Sequence, residues 1–598
     1  MKRITLSFLL ILSLLITGCV STESDVQGNE GGGDSSSEKF KLEILGMSTD
    51  EDDLNILRDQ LTSNGFEVEL NIQPDYGSFS TQRDAGNYDL ALNSWTTVTG
   101  NPDYAVRSLF KSDGDNSLFA DEKADELIEL ASTQLPGEYE ETYKQLEEHI
   151  VFENAYIAPL YISYKAQAVN HEIIDESTVR LPKSRAQVWE QYDYNDKSLR
   201  ETEPLLLHQA IGSLTSLDPI KGNDGSINTL NTNMYVRLVN LTDDDVVVSD
   251  GSLSLSHVIA EGNEDYYFIL RDDINFAAVE GDEVIDTGER VGAEDVKFSL
   301  DRAKDPNSVP DHRTYSLHES MESIEIVEDL AELDTPTTDG KTVREAFEAD
   351  LDVAIKELTT DKTKVDNSAG IYQVVKVTTQ KPFPQVLNYL AHQSAGIVSK
   401  NQVESVNTFD VEEYDVNKHI AYGDQRTVTE GSEYENTLYA SGPYILVSKN
   451  DYEARFVKNP AYMPGTEYEP KINEVIVKFI QEAETALSAL RNNEIYAFNG
   501  VAENRYETVE EDDKLTLQQN ESNAVKYLNF NMEGREVSTN KALRQAVLYS
   551  INQDEFISFY QGHKMPAIST VSPLVDTGLK LEADPEKVKQ LLQEAAQQ

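Results

Sequence analysis

Tyr267-Phe-Ile-Leu-Arg-Asp-Asp-Ile-Asn-Phe276 and, a short way on, Arg290-Val-Gly-Ala-Glu-Asp-Val-Lys-Phe-Ser-Leu-Asp-Arg302 are the stretches on which the reading of the fold turns. The first has strand character over 266–274, where aromatic and β-branched side chains suit a pleated, half-buried surface. The second is expected to be helical over 293–303, with Glu294 and Asp295 in its first turn, where the helix dipole favours negative charge. Strand followed by helix is the unit of an α/β protein.

Toward the N-terminus the same alternation recurs. Leu42, Ile44 and Leu45 predict a strand, and Leu54, Ile56, Leu57 and Leu61 follow at helical spacing with Gly65 as a stop. Phe66, Val68 and Leu70 alternate as a second strand, and 88–95 reads as a third. Helices are expected over 121–132 and 138–153, and a strand over 157–169. Toward the C-terminus, 330–366 reads as a charged, helical surface excursion. A helix ends at 486–492 before another strand, and 540–550 is a further helix. The last helix is capped by Asp584 with Pro585 in its first position, and carries Val588, Leu591, Leu592 and Ala595 on one face. No strand follows it before Gln598, whereas 41–45 supplies one at the other end of the chain.

The chain has 598 residues, 107 acids and 50 Lys and Arg, for a formal charge of −57, which excludes a nucleic-acid binder because such proteins are basic. Self-repulsion of this size destabilises a compact state unless salt screens it, so a salty or alkaline medium is expected. The runs Asp243-Asp244-Asp245 and 510–513 read as solvated surface, since neither has the ligand spacing of a calcium loop. Roughly 560 residues follow the N-terminal segment, too many for one simple core, so two or three subdomains are expected.

The N-terminus sets the compartment. Lys2 and Arg3 precede a mostly apolar run over 4–16, shorter than the about 20 residues of a membrane span and suited to a secretory signal. Ile16-Thr17-Gly18-Cys19 resembles a bacterial lipobox, in which Cys19 is lipidated and heads the mature protein. Cys19 is the single cysteine, so no intrachain disulfide forms and stability rests on core burial. Residues 20–39 are Gly, Ser and acid, a flexible tether, and folded sequence begins near Phe40. The body is expected outside the cell: on the outer face of the cytoplasmic membrane in a Gram-positive cell, on the periplasmic side in a Gram-negative one.

From Leu205 onward the chain resembles the family 5 extracellular solute-binding proteins of ABC importers, which include oligopeptide, dipeptide, glutathione and nickel binders. The resemblance rests on Ser216-Leu-Asp-Pro219, the two stretches quoted first, Ser441-Gly-Pro-Tyr444, Lys458-Asn-Pro-Ala-Tyr462, 486–496, Tyr527-Leu-Asn-Phe-Asn531 and Leu543-Arg-Gln-Ala546, in that order. Residues 40–198 resemble the C-terminal part of the same family, through 61–70, Tyr88-Asp-Leu-Ala-Leu92, Trp95 to Asp103, 121–131 and Ile157-Ala-Pro-Leu-Tyr161. Two accounts fit this order: a circular permutation joined near 196–203, or a rearranged or truncated tandem gene. Coverage of the family without large duplication favours the first. The resemblance implies a two-lobed, periplasmic-binding-protein-like α/β fold of type II with an extra subdomain. One lobe would combine 40–160 with 525–598, the other span 161–524, and crossovers near 158–168 and 520–528 would form the hinge.

The resemblance also implies where a solute sits. Trp95 closes a strand expected to face the interlobe cleft and serves there as an apolar face with one N–H donor, or else as a core residue. Thr96 and Thr97 belong to the same loop. Many peptide binders of the family carry an Asp three places after this Trp, holding the peptide ammonium; here Val98 stands there. Asp103 can replace that acid or be a capping or surface group. His392, in Leu390-Ala-His-Gln-Ser-Ala-Gly-Ile397, donates to or pairs with a solute carboxylate, or is a structural loop histidine, and Gln393 lies beside it. Tyr235 and Asn531 are pocket candidates that packing or a hinge hydrogen bond would equally explain.

No zinc-protease His-Glu-x-x-His, no Gly-x-Ser-x-Gly elbow and no metal-spaced histidines occur, so neither catalysis nor a cofactor is expected. The function so implied is capture of a peptide-like solute by a monomeric lipoprotein that delivers it to a permease and ATPase. A nickel-chelate binder of the same fold and a surface peptide sensor are the alternatives.

Overall fold

The computed structural model of the chain describes residues 40–211, 214–222 and 225–597. The signal, lipobox with Cys19 and tether expected over 1–39 lie outside the described residues.

Strand β1 (Lys41–Met47) leads into the helix Glu51–Ser63, whose Leu54, Leu57 and Leu61 are buried at the spacing the sequence shows. Strand β2 (Glu67–Gln73) pairs parallel with β1, and β3 (Leu90–Thr96) joins the other edge of β1. Beyond β3 the sheet takes in a strand from far along the chain, Leu515–Phe530, then β4 (Ile157–Asn170), then Ala497–Asn499. Lys564–Met565 adds a short pairing on β4.

The pairing of β4 with Leu515–Phe530 is antiparallel and runs almost the full length of both strands. Its register slips between Glu521 and Val525. On one side of the slip, 524–530 also pairs with β3; on the other, 167–169 also pairs with 497–499. Two long strands therefore have different neighbours at their two ends, β3 at one and 497–499 at the other, and are broken in register between them.

The first lobe is closed by both ends of the chain. Asp584 caps the helix Pro585–Ala595 by accepting the Lys587 amide at 2.9 Å, and Val588, Leu591 and Ala595 are buried, each large apolar side chain contributing about 1.5–3 kcal/mol. This helix packs on Lys541–Ser550, with Asn540 Nδ2 donating to the Ala595 carbonyl at 3.0 Å. Gln60 donates to Asn552 O at 3.0 Å, and Tyr161 and Tyr560 both donate to buried Asp53 at 2.5 and 2.8 Å.

The second lobe holds two four-stranded sheets. One orders 444–449, 453–458, 474–479 and Leu205–Gln209; the other orders 321–326, 374–379, 265–270 and 254–259. The quoted stretches form Asp265–Leu270 and Ala293–Ala303. The Asp295 carboxylate accepts the Gly292 amide at 3.1 Å and so closes the start of the helix.

The segment 330–366 departs from the sequence reading. Its regular elements are Leu330–Asp334, Val343–Leu351 and the strand Glu357–Leu358, and Leu333, Val343, Phe347 and Ile355 form a core against Ile269 and Val374. Lys362 anchors it to the main body by ion pairs to Asp295 and Glu289, both at 2.9 Å, and Glu294 at 3.0 Å. The high charge of the segment conceals an apolar face with a partner. The acidic run 243–245 also departs: only Asp244 is exposed, because Asp243 pairs with two arginines and Asp245 accepts Ser184 and Asn523.

Glu147 is a fully buried carboxyl held by the hydroxyls of Ser569 (2.6 Å), Ser572 (3.2 Å) and Thr577, with no cation beside it. Burial outweighs these donors and pushes it up to about 7. Because the folded value lies above the unfolded one, the stability it contributes is present below about pH 4.5 and is lost as pH rises through 7. Glu147→Gln is expected to be more stable than the parent by about 3 kcal/mol at pH 8, with no difference at pH 4.5. Chemical denaturation at the two pH values checks this.

Candidate functional site

A cavity of about 400 Å³ is lined almost entirely by residues from 180–251, joined by 391–393, Tyr468 and Val98. The helix Gly225–Met234 presents Asn228, Thr229 and Thr232, and Arg237 follows just beyond its end. Asn233 on this helix clamps the neighbouring segment: its Oδ1 accepts the Trp189 amide at 2.8 Å, and its Nδ2 donates to Gln187 O at 2.9 Å. Trp189 is buried edge-on against Tyr444 and Phe456, with ring centroids 5.9 and 5.0 Å away. The turn after it delivers Glu190 to the cavity. His392 and Gln393 close another side, and Val98 is the contribution of the first lobe.

Three arginines line the space. Arg180 Nε and Arg185 Nη2 share Asp243, at 2.6 and 2.5 Å. Arg237 is buried and gives its hydrogens to Thr232 O (3.1 Å), Tyr235 O (2.9 Å) and Asn240 Oδ1 (2.9 Å). No carboxylate pairs with it among the described residues, and burial lowers the affinity of its guanidinium for its proton.

Four buried polar atoms on this wall have no hydrogen-bond partner among the described residues: His392 Nε2, Gln393 Oε1, Asn228 Oδ1 and Glu190 Oε2. A buried polar group left unpaired costs about 1–3 kcal/mol, and a solute entering this cavity can supply partners to all four. His392 Nδ1 accepts the Ser394 amide at 3.3 Å, which leaves the ring proton on Nε2, and burial pushes the group down to about 4. At neutral pH His392 is thus a neutral N–H donor aimed at the cavity. Behind it, Ser394 Oγ lies 2.8 Å from both His392 Nδ1 and His318 Nε2.

The other residues expected at the site lie outside the lining. Trp95 packs on Tyr104 with ring centroids 5.8 Å apart, and its Nε1 is buried without a partner. Thr97 is buried and Thr96 is exposed; from this loop it is Val98 that lines the cavity. Asp103 is buried and fully engaged, accepting Arg107 at 3.1 Å and the Tyr389 hydroxyl at 2.9 Å. Tyr235 donates to Leu217 O at 2.7 Å and meets the Tyr422 hydroxyl at 3.1 Å. Asn531 donates to Gly86 O and Tyr88 O at 3.2 and 2.9 Å, inside the first lobe. Arg237 escaped the sequence reading, although a charge inside Tyr235-Val236-Arg237-Leu238-Val239 is itself a signal. Glu190 gave no signal in a chain with 107 acids.

The lobes touch beside the cavity. Asn388 donates to Thr99 O at 3.0 Å, Gln385 to Ala131 O at 3.1 Å, and Lys381 pairs with Glu129. Gly100, at φ +64°, faces the 241–245 turn so closely that a Cβ there would sit 2.9 Å from Asp245 Cβ and 3.0 Å from Leu241 Cδ1. Only glycine permits this approach without strain.

Comparison with known proteins matches residues 251–597 to the model of the bacterial extracellular solute-binding proteins, family 5 middle region. The glutathione-binding protein GsiB of Pectobacterium atrosepticum is 24% identical over 396 residues, covering 64% of this chain and 60% of that protein. GsiB of Escherichia coli strain K12 is 22% identical over 394 residues, with the same coverage. The chain thus spans less than two thirds of the length of these relatives. Among solved structures, HbpA2 from Haemophilus parasuis aligns with a TM-score of 0.44 at 19% identity, over 66% of this chain and 67% of that one. Among the described residues, no helix is long and apolar enough to cross a membrane. With the family model matching more than half of its length, the chain belongs to the family 5 bacterial extracellular solute-binding proteins.

Proposed function

We propose that this protein is the solute-binding subunit of an ABC importer and captures a peptide-like solute in the interlobe cavity. The observation that carries this reading is the presence of four unpartnered buried donors and acceptors on the wall of one open cavity of about 400 Å³, within the range of small-molecule sites. Donors of His392 and Arg237 suit a carboxylate, and acceptors of Gln393, Asn228 and Glu190 suit amide and amine hydrogens. The curated relatives are named for glutathione, a tripeptide with such groups.

In this reading the solute is held and released unchanged. The lobes close over it by bending at the register slip between Glu521 and Val525, and a permease then takes it while the partner ATPase hydrolyses ATP. The lobes are 40–160 with 525–598, and 161–524. We read the order of the segments as a circular permutation, supported by β1 and the terminal helix lying in one lobe. Cys19 is the lipid attachment point that tethers the monomer to the outer face of the cytoplasmic membrane.

Thermal unfolding and Trp fluorescence of the Cys19→Ser chain against tripeptides, glutathione and nickel–histidine test the solute class. A peptide at 100 times its dissociation constant is expected to add about 2.7 kcal/mol of stability. A response to the nickel complex alone would overturn the peptide reading. With two tryptophans in the chain, Trp95 and Trp189, and Val98 and Glu190 of the lining close to them in sequence, a fluorescence change on ligand addition is expected.

His392→Ala is expected to weaken binding of a free peptide acid by about tenfold while leaving that of its C-terminal amide less affected. Because the ring stays neutral down to about 4, parental affinity is expected to be flat from pH 5.5 to 8 as far as this donor is concerned. Calorimetry across that range checks both. Gly100→Val is expected to keep the fold but weaken binding at least tenfold by wedging the 241–245 turn away. An unchanged affinity would show that this approach is not needed for capture.

A further inference from the structure

Among the described residues Glu190 is the one acid of the cavity wall that is buried and has no ion pair, its carboxyl accepting only a backbone amide. Its exposure is 7%, and its Oε2 has no hydrogen-bond partner among the described residues. The other acids near the cavity are accounted for. Asp243 is shared by Arg180 and Arg185, Asp245 accepts Ser184 and Asn523, and Asp250 is exposed.

The positive groups that face Glu190 are Arg185, Arg237 and Lys471. None donates to it. Arg185 gives its hydrogens to Asp243 at 2.5 Å and Ala186 O at 3.2 Å, and Arg237 gives its own to Thr232, Tyr235 and Asn240. They supply long-range field without contact. Burial therefore dominates and raises the carboxyl's affinity for its proton.

The position of this carboxylate is built. The Trp189 amide is clamped by Asn233, the Trp189 ring is wedged between Tyr444 and Phe456, and the turn closes with the Tyr192 amide on Trp189 O at 3.1 Å. This packing fixes the backbone from which Glu190 reaches the cavity wall. A fixed, desolvated carboxylate is relieved by a neutral donor only in part, since its charge stays uncompensated; a cation supplies both the hydrogen bond and the charge.

We infer that Glu190 selects a solute with a primary ammonium group and binds that group through Oε2. The solute then lies with its cationic end at the Trp189–Glu190 turn and its anionic end toward His392 Nε2, so the site reads a zwitterion from both ends. This rests on the cavity being the solute site.

The test compares trialanine with N-acetyl-trialanine, by calorimetry, on the full chain and on Glu190→Gln. The substitution removes a buried charge and keeps the shape, so the variant is expected to melt at or above the parent. In the parent, acetylation is expected to weaken binding at least tenfold; in the variant the two peptides are expected to differ by less than threefold. If trialanine binds and the variant discriminates as the parent does, the role of Glu190 is overturned while the solute site stands.

If neither peptide binds, the peptide reading falls and Glu190 is judged separately. Its carboxyl ¹³C resonance, assigned by its loss in Glu190→Gln, is titrated in methylammonium chloride and in equal sodium chloride. A lower titration midpoint in methylammonium supports ammonium binding at Glu190. Equal midpoints overturn it.

Discussion

The antiparallel ladder between β4 (Ile157–Asn170) and Leu515–Phe530 is the constraint on which the rest of the structure depends. It joins segments distant in sequence and contributes two central strands to the seven-stranded sheet. Ladder hydrogen bonds resist stretching along the strands but yield where the pairing is irregular. The register slip between Glu521 and Val525 is that irregularity. Asn523, within the slip, donates to Asp245 at 2.8 Å, and its carbonyl accepts the Thr97 amide at 3.2 Å. The slip thus holds both the 97–100 loop, through Thr97, and the 241–245 turn, through Asp245.

Around this axis many buried polar groups are satisfied: Asp103 by Arg107 and Tyr389, Asp53 by Tyr161 and Tyr560, Asp295 by Lys362 and backbone amides. Others keep an open valence at several places among the described residues, among them Trp95, Tyr143 and Asn231. Four of these open groups, on His392, Gln393, Asn228 and Glu190, face one cavity, where a solute can reach them.

The net charge of −57 adds a long-range field that salt screens beyond about 8–10 Å. Within the cavity the balance differs, with three arginines facing Asp243, Glu190 and Asp250. The overall acidity thus does not carry into the site, where local pairing decides which charges remain available.

Periodicity and capping were enough to read most elements of the first lobe and the terminal helix, because Leu54, Leu57 and Leu61, or Asp584 and Pro585, act through neighbours a few residues away. The ordered family segments identified the fold class, and the loop singled out through His392 and Gln393 is one that lines the cavity. The 330–366 segment was misread because its charges are local while the apolar partners of Phe347 and Ile355 come from other strands. Asp103 could not be told from a ligand acid without seeing Arg107 and Tyr389 close on it. Sequence alone determined the local elements, since these follow from short-range spacing, and its resemblance to a family implied the class of fold. Which polar groups are paired and which are left open, and hence that Glu190 and Arg237 belong to the cavity, was decided only by tertiary structure, because pairing is a property of side chains brought together from remote parts of the chain.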